Sequence, residues 1–324
     1  MNTPLQQTKE WEKLQKSLGE TTFFVEEKDF QFLAILKKTL FGNYLYLPYG
    51  PVIRDKNAAK TALEALLSLA KEKSVTFIRI EPQCPETASY LLKQSNIVKS
   101  KDLNPADTWI LSLEAGKDAI VSGFSQGTRT RYNQFAKKGL SVLSTKNPEK
   151  IKELVRLQSA VAKDKGIIAF SEDYLKAELE QDFASLYLVT YNPANNQSLK
   201  DESEKIDDPK IIAASLFFDY DDTRFYMQSA SDYNYRKLPA TVALLTTALF
   251  DAKEKGLKRF DFWGIAPDGA GKDHPWAGFT DFKKSFGGEA ISYCGTYDLI
   301  LNPGKYRLYK MARKINRTLR KLKS

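Results

Sequence analysis

The chain has 324 residues, 42% hydrophobic and 12% aromatic, which is ample apolar material for globular domains and excludes a globally disordered chain. This length predicts two domains. The formal net charge is +9, the two cysteines have no metal-ligand spacing, and no apolar run reaches the length of a membrane-spanning helix. With no secretion-signal pattern at the N-terminus, we expect a soluble protein of the cytoplasm.

Helices and strands alternate in the first part of the chain. A short helix is predicted from Trp11 to Leu18 and a strand in TTFFVEE, whereas QFLAILKKTL fits either type. The next predicted elements are a Pro/Gly-bent strand at 44–53, an amphipathic helix at 58–73 and a buried strand at 75–82.

A similar order follows after residue 150. The predicted elements are helices at 151–166 and from Ser171, strands at 186–191, 211–220 and 225–231, a helix at 238–256 and a strand at 258–265. The repeated alternation favours an α/β layered architecture. Between two of these strands, the polar and acidic segment 192–209 predicts a mobile hairpin excursion.

The positive charge is concentrated at the end of the chain. Residues 305–324 hold nine Lys/Arg and no acid, and the rest of the chain has 40 Lys/Arg and 40 Asp/Glu. Apolar residues recur there at intervals of 4, 3, 4 and 3, which places them on one face of a helix: Leu308, Ala312, Ile315, Leu319 and Leu322. One interpretation is a terminal helix packed on the body of the protein, and the other is contact with anionic lipid or an RNA backbone.

A second basic segment lies at 129–142, RTRYNQFAKKGLSV. Arg129, Arg131 and Lys137 are interleaved there with Tyr132 and Phe135. Basic residues among aromatics suit a phosphate or nucleic-acid partner, and the alternative is the exposed side of an ordinary helix. Both interpretations remain open at this point.

Familiar catalytic and nucleotide-binding patterns are absent. The single histidine, His274, has no second histidine for a metal site, and no serine or cysteine has a nucleophile-elbow context. The sequence contains neither GxxxxGK[ST] nor GxGxxG, which argues against nucleotide hydrolysis and dinucleotide binding. We also find no [QR]xxGx[GA] pyrophosphate loop of acyl-CoA-dependent acetyltransferases.

A set of short segments nevertheless occurs in a recognisable order. In this order the segments are QTKEWEKLQKSLG, YLPYGPVI, FIRIEP, TRTRYNQFAKKGLSV, SAS…YRKLPA, FDFWGI, and DFKKSFGG followed by YCGTYDLILNP. Over nearly the whole chain they resemble the Fem-type (FemABX) peptidyltransferases of bacterial cell-wall synthesis. These enzymes move an amino acid from aminoacyl-tRNA to the stem peptide of a peptidoglycan precursor.

The resemblance implies a fold and a division of the chain. We expect an α/β protein with two N-acetyltransferase-like (GNAT) domains in tandem, without the coiled-coil arm of larger relatives. The expected domains are 1–120, completed by 297–324, and 121–296. The implied partners are aminoacyl-tRNA and a muropeptide precursor, with no cofactor and no metal, and the basic segment 305–324 is a candidate contact with the inner membrane surface.

The resemblance also implies site residues. Phe282 and Lys283 match the family's catalytic Phe-Lys pair, with Lys283 stabilising the oxyanion of the tetrahedral intermediate and Lys284 facing solvent. The implied substrate-binding residues are Lys13, Glu81, Tyr174, Tyr226 and Arg236. Candidate tRNA or phosphate contacts are Arg129, Arg131 and Lys137.

Some roles stay open within the resemblance. Glu81 is also a candidate general base, and Gly287 and Gly288 are expected to give clearance around the reacting ester. Phe170 and Gln228 stand where the family's UDP-muropeptide binder has an arginine and a tyrosine, which argues against a UDP-linked acceptor and leaves a lipid-linked one open. The alternatives are an N-acyltransferase that uses a CoA thioester and a non-enzymatic RNA- or membrane-binding protein.

Overall fold

The computed structural model describes residues 3–165, 169–199, 208–271 and 273–323. Its contacts divide the chain into a first unit, Met1–Ala106 with Ser292–Ser324, and a second unit, Asp107–Ile291. The predicted boundaries, 1–120 with 297–324 and 121–296, therefore differ from the observed ones. Residues 107–112 form a strand that pairs with Arg259–Gly264, and this pairing places them in the second unit.

Up to residue 106, four strands follow the first helix, and helices and strands alternate after them. They are α1 (Lys9–Ser17), β1 (Thr21–Glu26), β2 (Phe30–Lys37), β3 (Tyr44–Leu47), β4 (Val52–Ile53), α2 (Ala59–Glu72), β5 (Phe77–Ile80), α3 (Pro85–Leu92) and β6 (Ile97–Lys99). The ambiguous segment QFLAILKKTL forms β2. Residues 30–35 are all buried, and a strand buried on both faces lacks the alternation that marks a strand in a sequence.

The remaining elements follow in chain order. They are β7 (Asp107–Ser112), α4 (Lys117–Gly123), α5 (Gln126–Gln134), β8 (Lys138–Thr145), α6 (Ile151–Lys165), α7 (Glu172–Leu179), β9 (Ala184–Asn196), β10 (Lys210–Tyr220), β11 (Thr223–Ser231), α8 (Ala240–Glu254), β12 (Arg259–Gly264), α9 (Ala277–Lys284), β13 (Glu289–Ser292), β14 (Tyr297–Ile300) and α10 (Pro303–Lys323). None of the described helices combines the length and the apolar character that a membrane crossing requires.

The first unit is built on a mixed sheet in the order β1-β2-β3-β5-β14-β6, with β4 beside β2. Its β3 and β5 run parallel, with Leu45 opposite Ile78, while β14 is antiparallel to both β5 and β6. The apolar face of α2 packs on this sheet through Ala62, Leu63 and Leu66. The C-terminal strand is thus an interior strand of the N-terminal sheet.

A buried ion pair fixes this C-terminal return. Arg79 on β5 and Asp298 on β14 are almost fully buried and form a bidentate contact, with Nε–Oδ1 of 2.7 Å and Nη2–Oδ2 of 2.8 Å. The Tyr306 hydroxyl of α10 donates to Asp298 Oδ2 at 2.8 Å, and Tyr306 and Tyr309 pack on Phe77. The start of α10 is thereby attached to the first unit through its two tyrosines.

The apolar stripe of α10 is not its packing face, which is at odds with the interpretation that the stripe packs on the body of the protein. Leu308 and Ile315 of the predicted stripe are exposed, and Ala312 is half-buried. Tyr306 and Tyr309 make the contact instead, because their rings fill the space beside Phe77 while their hydroxyls reach the buried ion pair. Leu319 and Leu322 have side chains outside the described part of the chain.

The second unit has its own mixed sheet in the order β13-β7-β12-β11-β10-β9-β8. Its β11 and β12 run parallel, and the long β9 and β10 are antiparallel neighbours. Helix α8 is buried along most of its length in a core that includes Phe217, Phe260 and Phe262. Of the predicted acidic excursion between β9 and β10, residues 200–207 lie outside the described residues.

Candidate active site

Lys283 is a half-buried lysine near the end of α9. Its ammonium donates a hydrogen bond to the carbonyl oxygen of Gly264 at the end of β12, with an Nζ–O distance of 2.5 Å. Burial lowers the pKa of Lys283 to about 8, and the negative charge of Asp261 partly opposes that shift. The lysine therefore changes charge close to physiological pH, unlike an ordinary solvated lysine.

Asp261 supplies the negative charge that faces Lys283. It lies within β12 and is only 2% exposed. Its Oδ1 accepts hydrogen bonds from the Thr108 hydroxyl and from the backbone N–H of Trp263, the latter at 2.7 Å. Burial raises its pKa to about 6, against the lowering effect of these two donors and of Lys283. A carboxyl group and an amine with pKa values displaced toward neutrality thus form one electrostatic unit.

The backbone at this point of β12 is unusual. Trp263 has a φ of 64°, in the left-handed region that a bulky side chain rarely occupies. The pairing of β12 with β7 shifts register between Asp261 and Gly264, as expected for a β-bulge. Strained residues of this kind concentrate at functional sites. Here the bulge comes between the buried carboxylate and the carbonyl oxygen that accepts from Lys283.

Phe282 and the glycines after α9 pack this segment against the core. The Phe282 ring meets Phe286 edge-on at 5.3 Å between centroids. Gly288 has a φ of 102°, and a Cβ there would lie 2.3 Å from the carbonyl oxygen of Ile110 on β7. Gly287 accepts a hydrogen bond from the Trp109 indole at 2.7 Å. In this structure a side chain at Gly288 would collide with β7. The resemblance instead implied that the glycines leave room for a substrate ester.

Lys284 is exposed, and its ammonium lies over the Trp109 ring at 5.4 Å. The two adjacent lysines therefore have different surroundings, as the sequence predicted. Only Lys283 is directed to the bulged end of β12.

This arrangement has a clear chemical capability. A charged Lys283 has three N–H bonds, and the Gly264 carbonyl uses one of them. The others can donate to an oxyanion that forms beside it, and an ammonium in a partly dry site stabilises such charge far better than in water. Among the described residues, no group of three or more His, Cys, Asp and Glu is placed to hold a metal ion.

Glu81 and Lys13 lie in the first unit. Lys13 is exposed on α1. Glu81 is buried, and its two oxygens accept hydrogen bonds from the Tyr46 hydroxyl, the Thr296 hydroxyl, the Leu103 N–H, and the backbone and side-chain N–H groups of Asn104. These donors occupy the carboxylate, which argues against the predicted role as a base. Glu81 instead ties the loop at 103–104 to β3 and to the segment before β14.

Tyr174 belongs to a second buried polar cluster, on α7. Its hydroxyl is hydrogen-bonded to Glu178, which has no exposed surface, and Gln228 Nε2 donates to the same carboxylate at 3.2 Å. Burial raises the pKa of Glu178 to about 7. Phe170 stacks on Tyr174 with ring centroids 5.1 Å apart.

Tyr226 and Arg236 have other surroundings. Tyr226 stacks on Phe217, with ring centroids 5.5 Å apart, and packs against the core that includes α8. Arg236 is exposed, with its guanidinium 4.2 Å from the centroid of the Tyr233 ring. The substrate roles of both residues stay predictions.

In the basic segment 129–142, Arg129 and the two aromatic residues make contacts within the second unit. Arg129 donates to the carbonyl oxygens of Ser122 and Phe124, at 2.8 and 2.6 Å, and so braces the junction of α4 and α5. Tyr132 and Phe135 pack against the core of the second unit, so they do not form an exposed stacking surface. Arg131 and Lys137 are exposed, and their role as phosphate contacts stays a prediction.

Reasoning from the sequence missed two residues. Asp261 is the only acid in the strand RFDFWG and lies there between two phenylalanines, and Glu178 follows Tyr174 by one helical turn. A charged residue in a predicted buried strand was the available signal for Asp261. Nothing in the sequence of α7 showed that Glu178 faces inward.

Comparisons with known proteins bear on this site. The sequence model of the FemAB family matches residues 178–314, a range that contains both Asp261 and Lys283. The lipid II:glycine glycyltransferase of Staphylococcus saprophyticus is 22% identical over 317 residues, covering 78% of this chain and 75% of the relative. Aminoacyltransferase FemA of Staphylococcus epidermidis is 27% identical over 165 residues, covering 47% of this chain and 38% of FemA.

The fold agrees as well. The crystal structure of FemX superimposes with a TM-score of 0.80 at 20% identity, covering 95% of this chain and 94% of FemX. The chain thus resembles Fem-type proteins in sequence, through the FemAB match over residues 178–314, and in fold over most of its length. A tandem GNAT protein from the clavulanic acid biosynthesis pathway, at a TM-score of 0.50 and 12% identity, covers 83% of this chain and 78% of its own. The two units, each with its own mixed sheet, thus have a GNAT-like fold in tandem.

Proposed function

We propose that this protein is an aminoacyltransferase that forms a peptide bond on the stem peptide of a peptidoglycan precursor. Two of its relatives are named for aminoacyl transfer, one of them onto lipid II. The observation that carries the proposal is Lys283, a half-buried lysine that faces a buried aspartate within the region matched by the FemAB family model.

The proposed donor is an aminoacyl-tRNA, which places the reaction in the cytoplasm. The amine of the acceptor attacks the carbonyl carbon of the aminoacyl ester, a C–N bond forms, and negative charge develops on the carbonyl oxygen. The charged Lys283 donates a hydrogen bond to this oxyanion. When the intermediate collapses, the C–O bond to the ribose breaks, and the ribose oxygen gains a proton in exchange for the proton that the amine loses.

The proposed acceptor is the lipid-linked precursor. Phe170 is exposed and stacks on Tyr174, so this position offers an aromatic face where an arginine would offer a cation for a diphosphate. Of the two relatives, the lipid II:glycine glycyltransferase matches 78% of this chain and FemA matches 47%. Both observations favour a lipid carrier over a UDP carrier.

A reconstituted transfer reaction tests the proposal. Purified protein is incubated with tRNAs charged with radiolabelled amino acids and with either lipid II or the UDP-linked muropeptide, and products are identified by mass spectrometry. We expect label on lipid II and none with Lys283→Met, while Lys284→Met, the exposed neighbour, retains activity. If neither acceptor receives label from any charged tRNA, the proposal fails. Acetyl transfer from acetyl-CoA under the same conditions would replace it with an N-acyltransferase.

A further inference from the structure

The exposed side of α10 carries an apolar stripe that the first unit leaves uncovered. Leu308, Met311 and Ile315 are 48%, 61% and 56% exposed. Their spacing of three and four residues places them on one face of the helix. Tyr306 and Tyr309, the buried residues of α10, lie on another face and attach the helix to Phe77. The same helix therefore has one face packed on the domain and a separate apolar face in solvent.

Basic residues flank this stripe. Arg307, Lys310 and Lys314 are exposed on the same turns of the helix. In the sequence, Leu319 and Leu322 continue the apolar spacing, while Arg317, Arg320, Lys321 and Lys323 continue the basic one, and no acid follows Asp298. An apolar stripe bordered by lysine and arginine is the pattern of a helix that lies in a membrane interface.

A neighbouring turn adds to the surface. Phe41 packs into the same cluster as Phe77, Tyr306 and Tyr309, and the adjacent Leu40 is 95% exposed. The exposed Lys38 precedes it, while Lys37 is paired with Glu20. Two elements of the first unit thus combine exposed apolar side chains with positive charge at the same cluster.

We propose that Leu308, Met311, Ile315 and Leu40, the lipid-facing surface, bind an anionic lipid bilayer, with α10 lying in the headgroup region. A bilayer accounts for both features, because it buries the apolar stripe and pairs the basic flanks with anionic headgroups. RNA would use the positive charge and leave the leucine, methionine and isoleucine exposed. A second copy of this chain would bring two basic helices together, which electrostatic repulsion opposes.

Vesicle binding by the full-length protein tests the proposal without any substrate, so its result is independent of the proposed aminoacyl transfer. We expect sedimentation with phosphatidylcholine/phosphatidylglycerol vesicles and little with phosphatidylcholine alone. Replacing Leu308, Met311 and Ile315 together by serine should weaken binding at least tenfold, and adding Leu40→Ser should weaken it further. The control is Leu143→Ser, a leucine of similar exposure on β8 of the second unit, which should bind like the unchanged protein.

A second measurement follows insertion directly. In Met311→Trp the indole emission should shift to the blue on addition of anionic vesicles, and circular dichroism of each variant verifies that it is folded. Binding that survives the serine replacements but disappears with added salt would overturn the proposal in favour of a general polyanion surface. A concentration-dependent dimer that these replacements abolish would overturn it in favour of self-association.

Discussion

The charge on Lys283 should control the alkaline limb of the pH–activity profile. With a pKa of about 8, roughly 90% of this lysine is charged at pH 7 and roughly 10% at pH 9. If the ammonium is the oxyanion donor, kcat/KM should fall about tenfold between these two pH values. Lys283→Met removes the donor at every pH, and the loss of one such donor typically costs about 100- to 1,000-fold in rate.

Lys283→Arg separates the charge of this residue from its position. A guanidinium keeps its charge well above pH 9, so the descending limb should disappear from the profile even though the altered geometry lowers the rate. Lys284→Arg is the matched control, because this neighbour is exposed and the same substitution there should leave the limb in place.

The assay is the initial rate of peptide-bond formation from pH 6.5 to 9.5, under single-turnover conditions. Spontaneous hydrolysis of the aminoacyl ester rises with pH and is measured without enzyme and subtracted. A rate that increases through pH 8 in the unchanged protein but not in Lys283→Met would refute the reasoning, because it would mean that the neutral amine of Lys283 acts as a base. A descending limb that persists in Lys283→Arg would assign the limb to another group.

Three further substitutions test the architecture of the site and of the two units. Asp261→Asn removes the negative charge that raises the pKa of Lys283, so the alkaline limb of the pH–activity profile should move to lower pH. If the pKa of Lys283 falls by about one, the charged fraction of this lysine at pH 8 falls about fivefold. Asp298→Asn leaves the guanidinium of Arg79 buried without its counter-charge and should destabilise the first unit by about 3–5 kcal/mol, measured by urea unfolding. Gly288→Ala combines a left-handed backbone with a clash and should cost about 3 kcal/mol or more, measured as a lower midpoint of thermal unfolding.

These substitutions have matched controls. Asp281→Asn changes an exposed aspartate on α9 and should leave the pH profile unchanged. Gly116→Ala, where nothing lies within 4 Å of the added Cβ, should alter stability by much less than Gly288→Ala. For Asp298→Asn, hydrogen exchange should accelerate in β5 and β14 and stay unchanged in β10. Equal acceleration in both units would contradict a local role for the ion pair.

Much of the fold could be predicted from local pattern. The helix at 58–73 and the strand at 75–82 appear as α2 and β5, and the helix from Ser171 begins there because the serine side chain accepts from the Tyr174 N–H. The sequence pattern did not decide between helix and strand for β2, because a strand buried on both faces lacks the alternation of apolar and polar residues. The sequence put the end of the first domain at residue 120, whereas the second unit already begins at Asp107. Local pattern could not show this, because β7 pairs with β12, about 150 residues later in the chain.

The site was predictable only in part. Lys283 came from a resemblance in a short motif, and its chemical setting depends on a carboxylate some twenty residues earlier and on a bulge between them. A backbone φ of 64° at a tryptophan cannot be read from residue type, since tryptophan rarely adopts it. The packing face of α10 was not predictable for a related reason: apolar spacing identifies a stripe on a helix without saying which face a domain covers.

The position of β14 also sets an order of events during synthesis. This strand lies between β5 and β6, so the first sheet cannot close until the ribosome has released residues up to Ile300. By then the whole of the second unit, Asp107–Ile291, has already emerged. The nascent N-terminal segment must therefore wait with an unfilled gap between two strand edges, a state in which strands are open to wrong pairing. Translation pauses while residues 107–291 are emerging should prolong that exposure, whereas pauses after Ile300 has emerged should not.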